Sequence, residues 1–276
     1  MTSQAPGPGH TPPLGRSHRQ PSRGPLRFAL IGGGAIAHEL LRLVEELSPG
    51  AERLEFAGHV TRAAGSLEAT LPACDVIVEA AGIEAVQEYG PRIVGAGRDL
   101  VVASIGAFAD PRLLPALRAA GTGRVHLTSG AIGGLDLLAA AGRTGGLVAA
   151  RVRSTKLPTS LIQPWMSAAE RGHLSALSRP ELLFSGTPEL AIAQFPASLN
   201  VAVAVQLAVG PRPPITVELV ADPEAHLTHH EITASGPAGD YAFSIRNAPL
   251  AARRASSGLT ARALAADLLR LAEERR

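Results

Sequence analysis

The sequence predicts an α/β chain: an N-terminal doubly wound parallel sheet, followed by a second α/β domain built on a mixed or antiparallel sheet. Three observations carry this. A short apolar run over 27–31 ends in Gly32, Gly33 and Gly34 and opens directly into a segment of helical periodicity. Apolar runs and helical segments then alternate to about residue 141, the order expected of a parallel sheet covered on both faces. Beyond that, four segments alternate apolar and polar side chains, as strands with one wet face do.

Residues 1–25 are rich in Pro, Gly, Ser and Arg and almost free of large apolar side chains, so a disordered extension is expected there. Structure should begin at Leu26. A helix is predicted from Ala35 to about Leu47, stopped by Ser48, Pro49 and Gly50. Strands follow over 54–60 and 75–79, the second with Cys74 at its lip as a small hydrophobe. A helix over 84–94 leads through Gly95 and Gly97 to the apolar run 100–102. Asp110 and Pro111 read as the cap and first residue of the next helix, which ends near Gly121. A strand over 125–127 runs into Ser129, Gly130 and Ala131, and a further helix reaches about Ala141. In the second half the alternating segments are 148–155, 215–220, 229–234 and 241–245, with helices over 187–194 and 199–209 on the other face of their sheet. An amphipathic helix over 259–273 closes the chain, with Leu264, Leu268, Leu269 and Leu271 on its core-facing stripe. The expected division is therefore an extension over 1–25, a dinucleotide-binding domain over 26–128 joined by the C-terminal helix within 250–276, and a catalytic domain over 129–249.

Composition narrows the function classes. With 276 residues, 46% apolar and 18% charged, the chain can bury ordinary cores, and a disordered, collagen-like or coiled-coil class is excluded. Arg16, Arg19, Arg23 and Arg27 supply the excess behind the net charge of +2, so the body is close to neutral and no nucleic-acid or anionic-membrane partner is expected. One cysteine cannot form an intrachain disulfide, which suits a reducing cytoplasm. The first 25 residues hold no apolar signal-like run, and the uncharged stretch 190–211 is broken by Gln194, Pro196, Ser198, Asn200 and Gln206, so it reads as buried helix. Lys156 is the only lysine among 26 basic residues, a bias that GC-rich codons alone would explain.

The glycine turn carries the first functional signal. Gly32, Gly34 and Ala37 stand at the three small positions of the dinucleotide fingerprint: Gly32 for the tight turn, Gly34 for close approach of a pyrophosphate, Ala37 for helix–strand packing. The first amides of the helix, at Ala35 and Ile36, would face the phosphates. The acid that usually binds the adenosine ribose is missing at the end of the second strand, where Thr61 and Arg62 stand instead. A hydroxyl and a guanidinium suit a 2′-phosphate, so NAD(P) is the expected cofactor, with NADP favoured over NAD. Arg62 stacked on adenine or turned to solvent is the alternative.

The stretches 75–89 (DVIVEAAGIEAVQEY), 97–110 (GRDLVVASIGAFAD) and 129–137 (SGAIGGLDL), then Phe195 and Pro196 with 200–202, ADPE over 221–224, and His230, Glu231 and Ile232, occur in this order over nearly the whole body. Together they resemble the L-aspartate dehydrogenase family. That resemblance implies a Rossmann domain followed by an α/β domain used for catalysis and dimerisation, hence a homodimer. It also implies NAD(P)-dependent oxidative deamination of L-aspartate to iminoaspartate, and its reverse from oxaloacetate and ammonia. The family's catalytic histidine falls at His230 and its nucleotide contacts at Ala131 and Asn200. Ala80 and Ala81, in the first resembling stretch, are expected beside the cofactor too.

An imidazole suits the chemistry, because hydride can leave Cα only once the amine is neutral. Ser129 and Gly130 are expected to offer backbone N–H groups to substrate oxygens, and the Lys156 ammonium to bind a substrate carboxylate; a solvated strand-end charge is the alternative for Lys156. His226 and His229 flank His230, but on an extended strand His226 and His230 stand about 13 Å apart and His229 points the other way, so no metal is expected. A structural histidine and a helix-capping Asn200 remain the bland readings. The chain departs from the family pattern at Ala37, Ser198, Leu227 and Thr228 and over 254–258. These changes keep two alternatives open: a dehydrogenase for another small amino or oxo acid, and a non-catalytic NAD(P)-binding regulator.

Overall fold

The structure is a computed structural model that describes residues 24–61, 65–250 and 253–275. The expected extension up to residue 23, and Arg62, lie outside the described residues. The first half runs β1 (Leu26–Ile31), α1 (Ala35–Leu47), β2 (Leu54–Val60), the short α2 (Leu67–Thr70), β3 (Val76–Glu79), α3 (Ile83–Gly95), β4 (Asp99–Val102), α4 (Leu113–Ala119) and β5 (Val125–Leu127). These five strands form a wholly parallel sheet in the order β2-β1-β3-β4-β5. Phe28 and Leu30 pack with α1 on one face, while Ala29 and Ile31 share the core of α3 and α4 on the other. The connections from β1 and β3 thus leave to opposite faces, and the crevice beyond the carboxyl ends of these two strands is where such sheets bind ligands.

The second half runs α5 (Leu135–Arg143), β6 (Ala149–Lys156), α6 (Ala168–Ser175), β7 (Glu181–Gly186), α7 (Pro188–Gln194), α8 (Asn200–Val209), β8 (Ile215–Ala221), β9 (Thr228–Gly236), β10 (Gly239–Asn247), β11 (Pro249–Leu250), β12 (Arg253–Ser257) and α9 (Gly258–Glu273). Its sheet is mixed, in the order β10-β9-β6-β8-β7, with β6 and β8 parallel and the other pairs antiparallel. Val152, Ile232 and Ala234 face α5 and α8. On the opposite face Arg153 pairs with Glu218 at 3.2 Å, so the alternation read from the sequence is real. β11 and β12 form a separate two-stranded ribbon.

Three expectations change. Asp110 Oδ1 does accept from the Arg112 amide (3.0 Å), but the buried 3-10 turn Ile105–Ala109 comes first and α4 starts only at Leu113, so Pro111 is not its first residue. α5 starts at Leu135 after a left-handed Gly134, leaving 129–131 in a loop and not at a helix start. α6, β7 and the ribbon are additional elements. The closing helix lies against the first sheet, with Leu264, Leu268 and Leu271 buried beside Phe28, Leu30 and Leu40 and Leu269 packed at the margin. Among the described residues no helix is long and apolar enough to cross a membrane.

Candidate active site

Gly32 adopts φ +111°, and a Cβ there would stand 2.6 Å from the Ala80 carbonyl oxygen, so β1 and β3 meet backbone against backbone where they end. A Cβ on Gly34 would meet nothing within 4 Å. Gly34 is also the cap residue of α1, whose first amides receive no side-chain hydrogen bond. An open face before uncapped amides fits the phosphates of a dinucleotide. Ala35 starts the helix, and Ala37 is buried against the sheet in the third small position. The ring of His59, at the end of β2, is bonded through Nε2 to the Gly32 carbonyl at 2.5 Å. Thr61 lies beside the turn, its methyl 3.6 Å from where a Gly33 Cβ would be.

Glu79 ends β3 fully buried. Its carboxylate accepts from the amides of Ala81 (2.7 Å), Gly82 (2.8 Å) and Ser104 (3.0 Å) and from the Ser104 hydroxyl (2.8 Å). Burial pushes its pKa up, and these bonds work against that. One side chain thus ties together the turns that leave β3 and β4.

Those turns form one wall of a cleft of about 330 Å³ that runs between the two sheets. Ile36, Ala80, Ala81 and Ser104 come from the first sheet's side, Ser129, Gly130 and Ala131 from the loop after β5, and Lys156, Asn200 and His230 from the second half. Nine of the residues expected from the sequence therefore meet in one cavity. Gly32, Gly34, Ala35 and Thr61 sit in or beside the glycine turn and are not walls of it.

Lys156 and His230 reach the cleft because β6 and β9 pair antiparallel with Ser154 opposite His230, so alternation puts Ser154, Lys156, Thr228 and His230 on the inner face. Lys156 is 6% exposed and has no ion-pair partner among the described residues; burial lowers its pKa to about 8. His230 is 2% exposed, and burial, then the Lys156 charge, then His229, lower its pKa to about 3. Its Nδ1 is 2.8 Å from the Ser154 hydroxyl. His229 and Glu231 alternate to the outer face, where His229 bonds Ser244, and His226 is exposed before the strand. No group of three metal-binding side chains occurs among the described residues.

Gly130 turns its amide back onto Thr128 Oγ1 (3.3 Å), which removes one of the N–H groups expected to face the substrate. Asn200 does not cap α8. Its Oδ1 accepts from the Gly106 amide (2.8 Å), which leaves its Nδ2 hydrogens for a ligand. Buried Asn247, at the end of β10, donates to the Ala131 carbonyl (2.7 Å) and holds that loop. Ser154, Glu79, His59 and Asn247 escaped the sequence reading. Each of the four has a partner at least 25 residues away, a distance over which local pattern carries no signal. Of the positions departing from the family pattern, Ser198 and Thr228 line the cleft, whereas Leu227 is exposed.

A family profile described as "Aspartate dehydrogenase, C-terminal" matches residues 136–271, and one described as "Homoserine dehydrogenase, NAD binding domain" matches residues 47–126. The chain is 37% identical over 257 residues to the L-aspartate dehydrogenase of Ruegeria pomeroyi, covering 88% of this chain and 91% of that one. To the L-aspartate dehydrogenase of Methanothermobacter thermautotrophicus it is 34% identical over 231 residues, with 78% and 84% covered. The crystal structure of aspartate dehydrogenase from Thermotoga maritima superposes with a TM-score of 0.65 at 25% identity, over 90% of this chain and 96% of that one.

Proposed function

The chain belongs to the L-aspartate dehydrogenase family, and from that premise we propose that it oxidises L-aspartate to iminoaspartate, which water converts to oxaloacetate and ammonia, and that it runs the reverse amination. The observation that carries this reading is one cleft holding a buried imidazole and a buried, unneutralised ammonium beside the glycine-turn end of the parallel sheet. When bound, a nicotinamide cofactor supplies the acceptor for the hydride that leaves Cα.

The protein's own residues do the rest. Gly32, Gly34, Ala35 and Ile36 would hold the pyrophosphate, Ala80, Ala81 and Ala131 would pack along the cofactor, and the Asn200 amide would donate to it. Lys156 binds a substrate carboxylate, with Ser129 and Gly130 shaping the same end of the site. His230 takes the proton from the substrate amine and later activates water for attack on the imine. Burial, the main cause of its low pKa in the free protein, keeps the ring neutral and so open to a proton. The Lys156 charge is the second cause of that depression, and a substrate carboxylate paired with the ammonium cancels it, which makes the imidazole more basic when substrate is present. Thr61 and Arg62 favour NADP over NAD. The working form is a homodimer, and the cytoplasm suits its single free, buried cysteine.

The hydroxyls of Ser198 and Thr228 in the cleft favour a second reading, a dehydrogenase for another small amino or oxo acid. The test follows NAD(P)H formation at alkaline pH with a panel of amino acids, for the unsubstituted protein and His230→Ala. Turnover of L-aspartate that His230→Ala loses by about a hundredfold or more supports the proposal. Preference for another acid selects the second reading. No turnover with NADPH still bound makes the protein a regulator and sinks both.

A further inference from the structure

We propose that Ser154 is the positioning residue for His230: its hydroxyl holds Nδ1, aims Nε2 into the cleft, and lets Nε2 present either a lone pair or an N–H without the ring turning over.

Ser154 is fully buried, does not line the cleft, and stands directly across the β6–β9 pair from His230. Because it is not a wall of the cleft, any effect it has on the reaction passes through the imidazole. The 2.8 Å contact to Nδ1 occupies one ring nitrogen and leaves Nε2 as the one that works in the cleft. The chemical type of the partner matters. A carboxylate would only accept and would raise the pKa of the ring, whereas a neutral acceptor leaves the ring uncharged until it takes a proton. A hydroxyl can accept from Nδ1–H, which leaves the Nε2 lone pair free in the neutral ring, and it keeps that bond when Nε2 takes a proton. A base that takes a proton at Nε2 in one half of a reaction and returns it in the other passes between neutral imidazole and imidazolium, and Ser154 can hold Nδ1–H through both states without the ring turning. The paired strands fix the register, so the contact is built into the sheet and not into a loop.

This rests on His230 acting in the cleft as proposed above. The experiment is a double-mutant cycle on the full-length protein, with Ser154→Ala, His230→Ala and both together, read as kcat and KM for L-aspartate at saturating cofactor. Ser154→Ala should lower kcat about tenfold with the cofactor KM unchanged, the scale of one neutral hydrogen bond. In the His230→Ala background it should change nothing further, because its only route is gone. Ser154→Thr, which keeps the hydroxyl, should stay within about threefold of the unsubstituted protein. Should Ser154→Ala not fold, Ser154→Cys carries the same comparison, since a thiol donates only weakly. A second readout needs no substrate: the ring 15N spectrum of His230, assigned by its loss in His230→Ala, should shift its tautomer balance in Ser154→Ala and not in Ser154→Thr.

A Ser154→Ala protein with unchanged kcat and unchanged 15N signals overturns the inference, as does an additive loss in the His230→Ala background. An unsubstituted protein that turns over nothing overturns the functional reading instead, and the 15N comparison then decides the Ser154–His230 pairing by itself.

Discussion

A lysine buried without an anion works against the fold that contains it. Lys156 keeps an ammonium in the cleft although burial has moved its pKa from 10.5 to about 8, a shift worth about 3 kcal/mol of native-state penalty. Because the folded pKa is depressed, the unfolded chain binds more protons between about pH 8 and 10.5, and stability rises with pH across that window. The penalty is complete below it. Lys156→Met should therefore raise the Tm at pH 7, with the gain shrinking towards pH 10.5, while aspartate binding weakens about tenfold or more. Succinate makes a clean probe, since it offers carboxylates without an amine of its own to titrate. It should raise the Tm of the unsubstituted protein, less so above pH 8, and leave Lys156→Met unmoved. A variant that binds succinate as well as its parent would make Lys156 a structural oddity and not a carboxylate ligand.

Among the elements, β3 and β4 owe their useful ends to one carboxylate. Glu79 accepts four hydrogen bonds from two turns that lie 25 residues apart in the chain and line the same wall. Glu79→Gln keeps the size but turns an NH2 group onto donors, which leaves buried amides facing each other. About 2–3 kcal/mol of stability should be lost in denaturant titration, and NADPH affinity should fall by fluorescence titration although Lys156 and His230 are unaltered. Unchanged affinity would mean that the turns hold their shape unaided. The same residue shows what a sequence reading reaches. The strand was legible, because DVIV is an apolar run before a turn, but the direction of its last carboxylate was not, because Ser104 is fixed only by the fold. α6 had a readable signal in the reciprocal cap of Ser167 and Glu170. β7 had none: its pairing with β8 slips between Leu182 and Phe184, and a slipped strand loses the alternation that marks strands. The site itself was legible as a set of residue types whose meeting in one cleft depended on the sheet order, and sheet order is a long-range property.

For the molecule as a whole, the decisive fact is that the last helix packs against the first sheet. α9 follows the mixed sheet in sequence yet buries Leu264, Leu268 and Leu271 against Phe28, Leu30 and Leu40, completing the face of the first sheet that α1 covers only in part. Its end is tied to the same region by Arg275, 2.8 Å from Asp75, a carboxylate that also meets Arg27 and whose pKa falls to about 2 as these arginines overcome its burial. At about 2 kcal/mol for each buried leucine, three leucines alone approach the 5–15 kcal/mol that separates a folded domain from its unfolded chain. A protein ended at Ser257 should therefore fail to fold cooperatively even though every residue expected to touch the cofactor is still present, and a fragment of the first half alone should fail for the same reason. Circular dichroism melts of the truncated and full-length chains decide this, with a separately supplied peptide of residues 258–276 as the control. If the truncated protein melts cooperatively and still binds NADPH, the last helix is a cover and not a part of the core. If the peptide restores a cooperative melt, the sheet is waiting for that one apolar stripe, and the glycine turn, which rests on the same strands, depends on the far end of the chain.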